Sequence, residues 1–478
     1  MSFADFDESA CGAMPGAKLV AVCRFGSSGR LNGCERPAAQ TRLQGSTSAD
    51  GHVAKLKRAL GLVELTFYGV GIIIGAGIYS VIGAAAGAAG DALWLSFLVG
   101  AGTALLTALS YAELATMYPE AGAEYVYLGH AMPGRRWAPF AIGTALVVAG
   151  AATAATVALA FAGYLSAFVP APRGLVALVL LAGLTGLSIA GIQLSSRVNM
   201  VLTTVEVLGL ILVIGVGATA PGFGEALGAK PTPGLFAAAA LIFFVYLGFE
   251  DVANLAEEAK EPARDMPRAI LLSLGITTVL YVLVALAAVA LAPPEQLAAS
   301  SSPLATAVAE RAPRLEGAIG VVALSATANT ALIALVAVSR MLFAMAREGD
   351  MPAVLARLLP KRQTPWATSL VMLAVAALLL PFGEVALVAS VASFASLLAF
   401  AAVNIALVVL RFREPSRKRP FRVPLAMGSV PILPVLGAAS ALALLTQFEP
   451  LVYAVGTGVL VTGLGLYATR RYWPEAGA

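Results

Sequence analysis

The sequence carries little charge for its length. Only 12% of its 478 residues are Asp, Glu, Lys or Arg, whereas 59% are hydrophobic and the mean hydropathy is +0.85. A soluble domain would carry about twice that charged fraction. The composition therefore excludes an ordinary soluble domain and indicates a chain that lies in a membrane.

Residues that carry catalysis and metal binding are also scarce. The only histidines are His52 and His130, and the three cysteines, Cys11, Cys23 and Cys34, all precede residue 50. An odd number of cysteines without a histidine at ligand spacing predicts no metal site and no disulfide framework. The sequence has no phosphate-binding loop, no His-Glu-x-x-His motif and no Ser/His pair within an apolar run. We therefore expect no ATP drive and no cofactor, and an intramembrane enzyme is a remote alternative.

What the sequence has in abundance is apolar runs of about 20 residues, the length that crosses a bilayer as a helix. We count twelve runs, and none alternates as a transmembrane strand would. They lie at about 62–88, 92–116, 138–169, 174–191, 198–219, 234–256, 268–292, 317–345, 367–382, 384–410, 429–447 and 450–469. The sequence thus predicts an all-α membrane protein with twelve transmembrane helices.

The basic residues predict how these helices are oriented. If the N-terminus is cytoplasmic, all but four of the 31 Lys and Arg residues fall on the cytoplasmic side. The four exceptions are Arg173, Lys230, Arg311 and Arg314. This bias predicts a multi-pass protein of the cell membrane with cytoplasmic N- and C-termini. It also accounts for the pI near 9.0, so the charge gives no reason to expect a nucleic-acid partner.

Two of the predicted helices contain residues that interrupt a regular helix, at Gly75-Ala76-Gly77 and at Gly248. Lipid penalises unpaired backbone groups, so such breaks persist where they line a protein cavity. The two breaks are five spans apart, and an odd number of spans per half makes the halves cross in opposite directions. The pattern predicts a five-plus-five inverted repeat with discontinuous helices 1 and 6, typical of transporters with a substrate site at mid-membrane.

The same runs predict the domain boundaries. We expect residues 1–54, which are rich in Gly, Ser and Ala, to form a disordered cytoplasmic segment. Residues 55–470 are expected to form the twelve-helix transporter domain. Its parts are repeat one at about 62–219, repeat two at about 234–410, helices 11 and 12 at about 429–469, and a cytoplasmic tail at 471–478.

Three segments, in this order along roughly residues 55–470, resemble the amino acid–polyamine–organocation superfamily of transporters. They are Gly75-Ala76-Gly77-Ile78, similar to that family's helix 1 break; Gly248-Phe249-Glu250 with Glu257-Glu258, similar to its helix 6 and following loop; and Arg340 with Ala346-Arg347-Glu348-Gly349, similar to the end of its helix 8. The resemblance implies a secondary active transporter that moves an amino acid by alternating access. Proton symport is the expected coupling, and exchange of amino acids or polyamines is the alternative.

The break in helix 1 is the predicted site for the zwitterionic head of the substrate. Glycines at Gly75 and Gly77, on either side of Ala76, let the chain leave helical geometry. The half-helix that begins near Ile78 offers N–H groups and a positive dipole end to a carboxylate. The carbonyl groups near Ile73 suit an ammonium group. The alternative for such glycines is close helix packing.

By resemblance, helix 6 contributes Phe244, which closes over the substrate, and the carbonyl groups of Phe244 and Leu247 near Gly248. A lipid or core contact is the alternative role for this phenylalanine. Glu250 is an acid deep in an apolar run, so it is a functional candidate by default. We expect it to exchange a proton or gate the site, and the alternative is a cap on unwound backbone. Asp251, one residue further, is expected to point elsewhere, toward the cytoplasmic vestibule.

Helix 5 carries a polar stripe, because Asn199, Thr203 and Glu206 are spaced i, i+4, i+7 and share one face. By resemblance to proton-driven family members, Glu206 is a proton-relay candidate beside helix 1. A hydrogen-bonded structural acid is the alternative. Ser325 and Asn329 lie four residues apart on helix 8. They are expected either to face the substrate cavity, as specificity residues or as sodium ligands together with helix 1 carbonyl groups, or to form interhelical hydrogen bonds.

Overall fold

The computed structural model describes residues 55–166, 169–300, 302–382 and 385–470. The segment 1–54, predicted to be disordered, and the predicted tail 471–478 lie outside the described residues. Helices dominate the described chain, and a short hairpin pairs β1 (Ala426–Met427) antiparallel to β2 (Val430–Pro431).

The α-helices are numbered in chain order. They are α1 (Leu62–Ile74), α2 (Gly77–Ala89), α3 (Leu93–Met117), α4 (Ala123–Ala131), α5 (Trp137–Leu165), α6 (Arg173–Ala190), α7 (Ile192–Ala218), α8 (Phe223–Ala226), α9 (Leu235–Val245), α10 (Phe249–Ala253), α11 (Pro262–Leu291), α12 (Pro294–Ala299), α13 (Pro303–Arg311), α14 (Glu316–Arg347), α15 (Trp366–Leu379), α16 (Val385–Arg413), α17 (Ile432–Leu445) and α18 (Pro450–Thr469). Short 3₁₀ turns occupy Gly90–Ala92, Ala256–Glu258, Pro313–Leu315, Ala353–Ala356 and Leu380–Phe382.

Ten helical stretches of the described chain are long and apolar enough to cross a membrane. Two further apolar helices, α15 and α17, are shorter. The prediction of a helical, multi-pass membrane protein is therefore confirmed. About 89% of the most apolar window of the span that contains α14 is buried in protein, against 17% for α18. Helix α14 thus lies at the centre of the bundle and helix α18 at its periphery.

Both predicted helix breaks are present. The chain leaves helical geometry at residues 75–76, between α1 and α2, where Gly75 has φ +36°. It does so again at residues 246–248, between α9 and α10, where Gly248 has φ +120°. Residues with a side chain rarely adopt such positive φ values, which explains why glycine occupies both positions.

The two interruptions lie directly against each other. A Cβ atom at Gly248 would come within 2.6 Å of Cγ1 of Ile72, so the end of α1 fills the space that a larger residue would need. Tyr281 of α11 joins both breaks, because its hydroxyl donates to the carbonyl oxygen of Ile73 at 2.6 Å and lies 3.4 Å from that of Val245. The fold therefore brings two segments distant in sequence to one place.

Candidate functional site

A cavity of about 290 Å³, the central cavity, lies at the two helix breaks. Its wall includes most of the predicted site residues, namely Ile73, Gly75, Ala76, Gly77, Phe244, Leu247, Gly248 and Glu250. Two predicted residues, Ile78 and Glu206, are fully buried and are not part of this wall. The structure thus gathers the helix 1 and helix 6 predictions around one space.

Most of the remaining wall of the central cavity comes from α5, α14 and α16. Its side chains are mostly apolar, with a few hydroxyl groups: Leu146, Ala149, Val157, Ala334 and Val338 are apolar, and Thr153, Thr156, Thr327 and Thr330 carry hydroxyls. Backbone from the two breaks therefore faces a largely apolar surface. Such a space suits a small molecule with a charged head and a less polar side chain.

Glu250 both lines the cavity and holds the backbone of the second break. Its Oε2 accepts a hydrogen bond from the backbone N–H of Gly248 at 2.7 Å, and the residue is 7% exposed. Asp251 also belongs to the wall of this cavity.

Glu124 of α4 also lines the cavity, and the sequence analysis did not single it out. Its Oε1 accepts a hydrogen bond from the hydroxyl of Tyr111 at 2.9 Å, whereas Oε2 has no partner among the described residues. Burial raises the pKa of Glu124 to about 7, although nearby donors, among them the Tyr111 hydroxyl, favour the ionised form. The signal that could have found it is an acid among apolar neighbours in a short connection between spans.

The carbonyl group of Ile73, predicted to bind an ammonium group, already accepts the hydrogen bond from Tyr281. A carbonyl oxygen has two lone pairs, so a second donor can still bind there. Tyr281 positions this carbonyl from α11, and nothing in its local sequence distinguishes it from other tyrosines in apolar runs.

Glu206 lies in a polar cluster behind helix α1 rather than in the cavity. Its Oε1 accepts from the side-chain amide of Asn329 at 2.9 Å, and Oε2 has no partner among the described residues. Asn199 donates to Oδ1 of Asn329 at 2.9 Å, and Thr203 lies 3.0 Å from the same amide nitrogen. A Cβ at Gly71 would collide with this cluster, so the polar stripe of α7 packs on the backbone of α1.

Neither of the two helix 8 residues considered for the cavity lines it. Asn329 belongs to the polar cluster, and the hydroxyl of Ser325 donates to the carbonyl oxygen of Leu202 on α7 at 3.2 Å. Both thus connect α14 to α7. Across the part of the chain that the structure describes, no group of three His, Cys, Asp or Glu side chains could hold a metal ion.

Buried ion pairs fasten the loop after α10. Glu258 forms a two-point pair with Arg340 of α14, with N–O distances of 3.1 and 3.2 Å, and both side chains are essentially inaccessible to solvent. Glu257 pairs with Arg347 at 2.7 Å and also accepts from the backbone N–H of Leu56 at 2.9 Å. The loop after the second break is therefore fastened to α14. The chain segment before the first break is fastened to that loop.

These features define a class: a multi-pass helical membrane protein in which two broken helices enclose a cavity, the arrangement of a secondary transporter. Comparison with known protein families supports this class. The model of a family described as amino acid permease matches residues 60–467. The chain belongs to this family, within the amino acid–polyamine–organocation superfamily that its motifs resemble.

Several characterised proteins are similar along most of the chain. The branched-chain amino acid permease BcaP of Bacillus subtilis is 33% identical over 408 residues, which cover 80% of this chain and 86% of the relative. A methylthioribose transporter of the same organism is 31% identical, with 83% and 89% covered. Vacuolar cationic amino acid transporter 4 of Arabidopsis thaliana is 33% identical, with 76% and 64% covered. The chain is accordingly a permease and not an enzyme.

Proposed function

We propose that this permease is a secondary active transporter that carries an amino acid across the cell membrane by alternating access, coupled to proton symport. The observation that carries the proposal is the central cavity itself. It is lined by both helix breaks, by a mostly apolar wall and by three acidic side chains, Glu124, Glu250 and Asp251. Exchange of amino acids or polyamines is the alternative mode.

In this proposal the amino end of α2 holds the substrate carboxylate, because the positive end of the helix dipole meets the cavity at Gly75, Ala76 and Gly77. Ile78 acts through its backbone in the first turn of α2, since its side chain is not in the wall. The ammonium group binds carbonyl oxygens at Ile73 and near Gly248.

Phe244 and Leu247 complete the proposed site from helix 6, with Phe244 closing over the substrate. Both residues are half-buried and lie in the cavity wall. The apolar wall opposite suits a branched aliphatic side chain, as the name of the Bacillus permease suggests. The three acids suit a cationic side chain, as the name of the Arabidopsis transporter suggests. The substrate panel described below separates the two.

The proposed proton carrier is Glu250, because it touches both the cavity and the backbone that must rearrange when the second break moves. Glu124 supports proton coupling, since burial raises its pKa to about 7, where a carboxyl group exchanges protons near neutral pH. Glu206 is proposed as a relay behind α1, where one oxygen lacks a partner among the described residues.

The proposed architecture has twelve transmembrane helices, with a five-plus-five inverted repeat and both termini cytoplasmic. α15 and α17 count among the twelve although they are short, because each is apolar and lies between longer spans. The placement of the two breaks at equivalent positions of the two halves supports this symmetry.

The decisive experiment is uptake of labelled substrates into proteoliposomes, first under a proton gradient and then under a sodium gradient. The panel contains leucine, isoleucine, valine, lysine, arginine and methylthioribose. We expect proton-driven uptake of at least one amino acid. Uptake driven only by sodium would contradict the proton roles, and uptake of methylthioribose alone would contradict the amino acid substrate.

Variants separate the proposed proton groups. Glu250→Gln is expected to abolish proton-driven accumulation while retaining exchange of preloaded substrate, because a neutral amide cannot exchange a proton. Glu206→Gln tests the relay on its own, and full proton-driven uptake by this variant would remove that role. The matched control is Glu295→Gln at an exposed position outside the cavity, which should transport like the parent protein.

A further inference from the structure

A second cavity, the arginine cavity, lies between the end of α16 and the β1–β2 hairpin. It measures about 270 Å³. Its wall consists of Arg411, Pro415, Arg417, Arg419, Arg422 and Ser429. Four guanidinium groups line it, and no carboxylate belongs to the wall.

A buried carboxylate holds two of these arginines in place. Glu113 of α3 is fully buried, and its oxygens accept from Nε and Nη2 of Arg411 at 2.9 and 2.6 Å. Nε of Arg419 lies 3.1 Å from the same carboxylate, which also accepts from the backbone N–H of Val423 at 2.7 Å. The loop after α16 therefore folds back onto the bundle and brings its arginines together.

The positive charge in this wall exceeds what its partners neutralise. Glu113 is shared between Arg411 and Arg419, and Arg417 pairs with Glu414 at 3.0 Å. Arg411 is only 4% exposed, and its buried Nη1 has no acceptor among the described residues. A buried donor without an acceptor is costly, so this nitrogen calls for an explanation.

Arg422 adds a further cation at the rim. It is exposed, and it forms no ion pair within the described ranges. A group with several oxygens and a negative charge would satisfy such donors, since guanidinium groups bind phosphate through paired, charge-assisted hydrogen bonds. The volume is ample for a phosphate group, because one water occupies about 30 Å³ in the liquid.

We propose that the arginine cavity is a binding site for a phosphate-bearing anion. Its place favours the headgroup of an anionic phospholipid, because the cavity lies between the end of the apolar helix α16 and the start of the apolar helix α17. Lipid headgroups lie at this depth, and basic pockets near helix ends on the cytoplasmic side bind them. The site is separate from the central cavity, so it does not depend on which substrate is transported.

The test uses the full chain purified in detergent and native mass spectrometry with phosphatidylglycerol or phosphatidylcholine. We expect retention of phosphatidylglycerol in preference to phosphatidylcholine. Arg422→Gln should weaken that retention about tenfold, because the variant loses about one charge-assisted hydrogen bond to the headgroup. The control Arg362→Gln removes an equally exposed arginine far from the cavity wall and should leave retention unchanged.

A second measurement distinguishes lipid from free anion. If inorganic phosphate raises the thermal unfolding temperature of the parent protein but not that of Arg422→Gln, and phosphatidylglycerol is not preferred, the anion is soluble phosphate. Equal retention of both lipids without any effect of phosphate would overturn the site. Equal weakening by Arg362→Gln and Arg422→Gln would also overturn it, because that result would reflect diffuse surface charge. Arg422 is exposed and forms no hydrogen bond or ion pair with the residues that the structure describes, so its variant is expected to fold like the parent.

Discussion

At the scale of single residues, the central cavity depends on side chains that are absent as much as on those present. Gly75 and Gly248 hold positive φ values at the two breaks, and each faces atoms that a Cβ would strike. The cavity can approach the backbone closely only because these positions carry no side chain. The proposed site uses these backbone groups to bind the head of the substrate.

The first prediction concerns Gly248→Ala. The new Cβ would meet Ile72 at 2.6 Å, and alanine is strained at φ +120°. We expect a loss of about 2–5 kcal/mol of stability, from backbone strain and overpacking together, with loss of uptake. Thermal unfolding in detergent and uptake into proteoliposomes measure both effects.

The control for that variant is Gly275→Ala, at a helical position of α11 where a Cβ would meet nothing within 4 Å. Alanine is the better helix former, so stability should stay equal or rise by up to about 1 kcal/mol. A Gly248→Ala protein as stable as this control would show that the two breaks do not pack as described.

The second prediction concerns pH and Glu124. Burial raises the pKa of this carboxyl from its ordinary 4.5 to about 7, so the folded protein favours the protonated form. Protonation of Glu124 therefore stabilises the folded protein. This contribution to the free energy of unfolding is fully present below pH 4.5 and is lost as the pH rises through about 7. It amounts to something on the order of 3 kcal/mol.

We therefore expect the thermal unfolding temperature of the parent protein to fall between pH 5 and pH 8. Glu124→Gln should flatten that dependence, because glutamine does not titrate. The exposed-site variant Glu295→Gln should keep the parent slope. An unchanged slope in Glu124→Gln would mean that this carboxyl does not titrate in that range.

At the scale of elements, ion pairs fix the loop after α10 to the centre of the bundle. Arg340 of α14 and Glu258 are both fully buried and bind through two contacts. Burial raises the pKa of Glu258 even beside this arginine. The carboxylate is therefore costly to bury and depends on its partner.

The third prediction is that Arg340→Met destabilises the protein by about 3–5 kcal/mol, because it leaves a buried acid without its partner. The double variant Arg340→Met/Glu258→Leu should recover most of that loss, since an apolar pair carries no desolvation cost. Thermal unfolding of the four proteins of this double-mutant cycle gives the coupling energy.

The exposed pair Arg264–Glu261 serves as the reference for that cycle. Its side chains are 63% and 64% exposed, so Arg264→Met should cost less than about 1 kcal/mol. A comparable loss from both arginine variants would argue against a special role of the buried pair.

The elements that local sequence determines were predictable, and those set by distant contacts were not. Apolar length predicted the spans, and glycine in an apolar run predicted the breaks at Gly75 and Gly248. The positions of Glu124 and Tyr281 at the site were not predicted, because they result from the packing of α4 and α11 beside the breaks.

At the scale of the whole molecule, the distribution of charge predicts the orientation of the protein in the membrane, which the contacts within the bundle do not. Arginine and lysine concentrate in the segments proposed to face the cytoplasm, including the loop that forms the arginine cavity. The proposed topology therefore places that cavity at the inner leaflet, where anionic lipids attract basic segments.

The fourth prediction tests this topology with single cysteines in a protein whose Cys11, Cys23 and Cys34 are replaced by serine. In intact cells a membrane-impermeant maleimide should label Lys230→Cys and Arg314→Cys. It should label Lys361→Cys and Lys418→Cys only after permeabilisation, although all four positions are exposed. The reverse pattern would invert the proposed orientation.

The contact between Ile72 and Gly248 also constrains how the sequence of this permease can change. Ile72 occupies the space that a side chain at position 248 would need, so the two positions act as one steric unit although they belong to different halves of the chain. In a growth selection that depends on uptake, suppressors of Gly248→Ala should therefore recur at position 72 with smaller side chains. Their rescue should be partial, because a smaller neighbour removes the collision but leaves the backbone strain. The contact thus predicts that tolerated changes at position 248 are accompanied by changes at position 72.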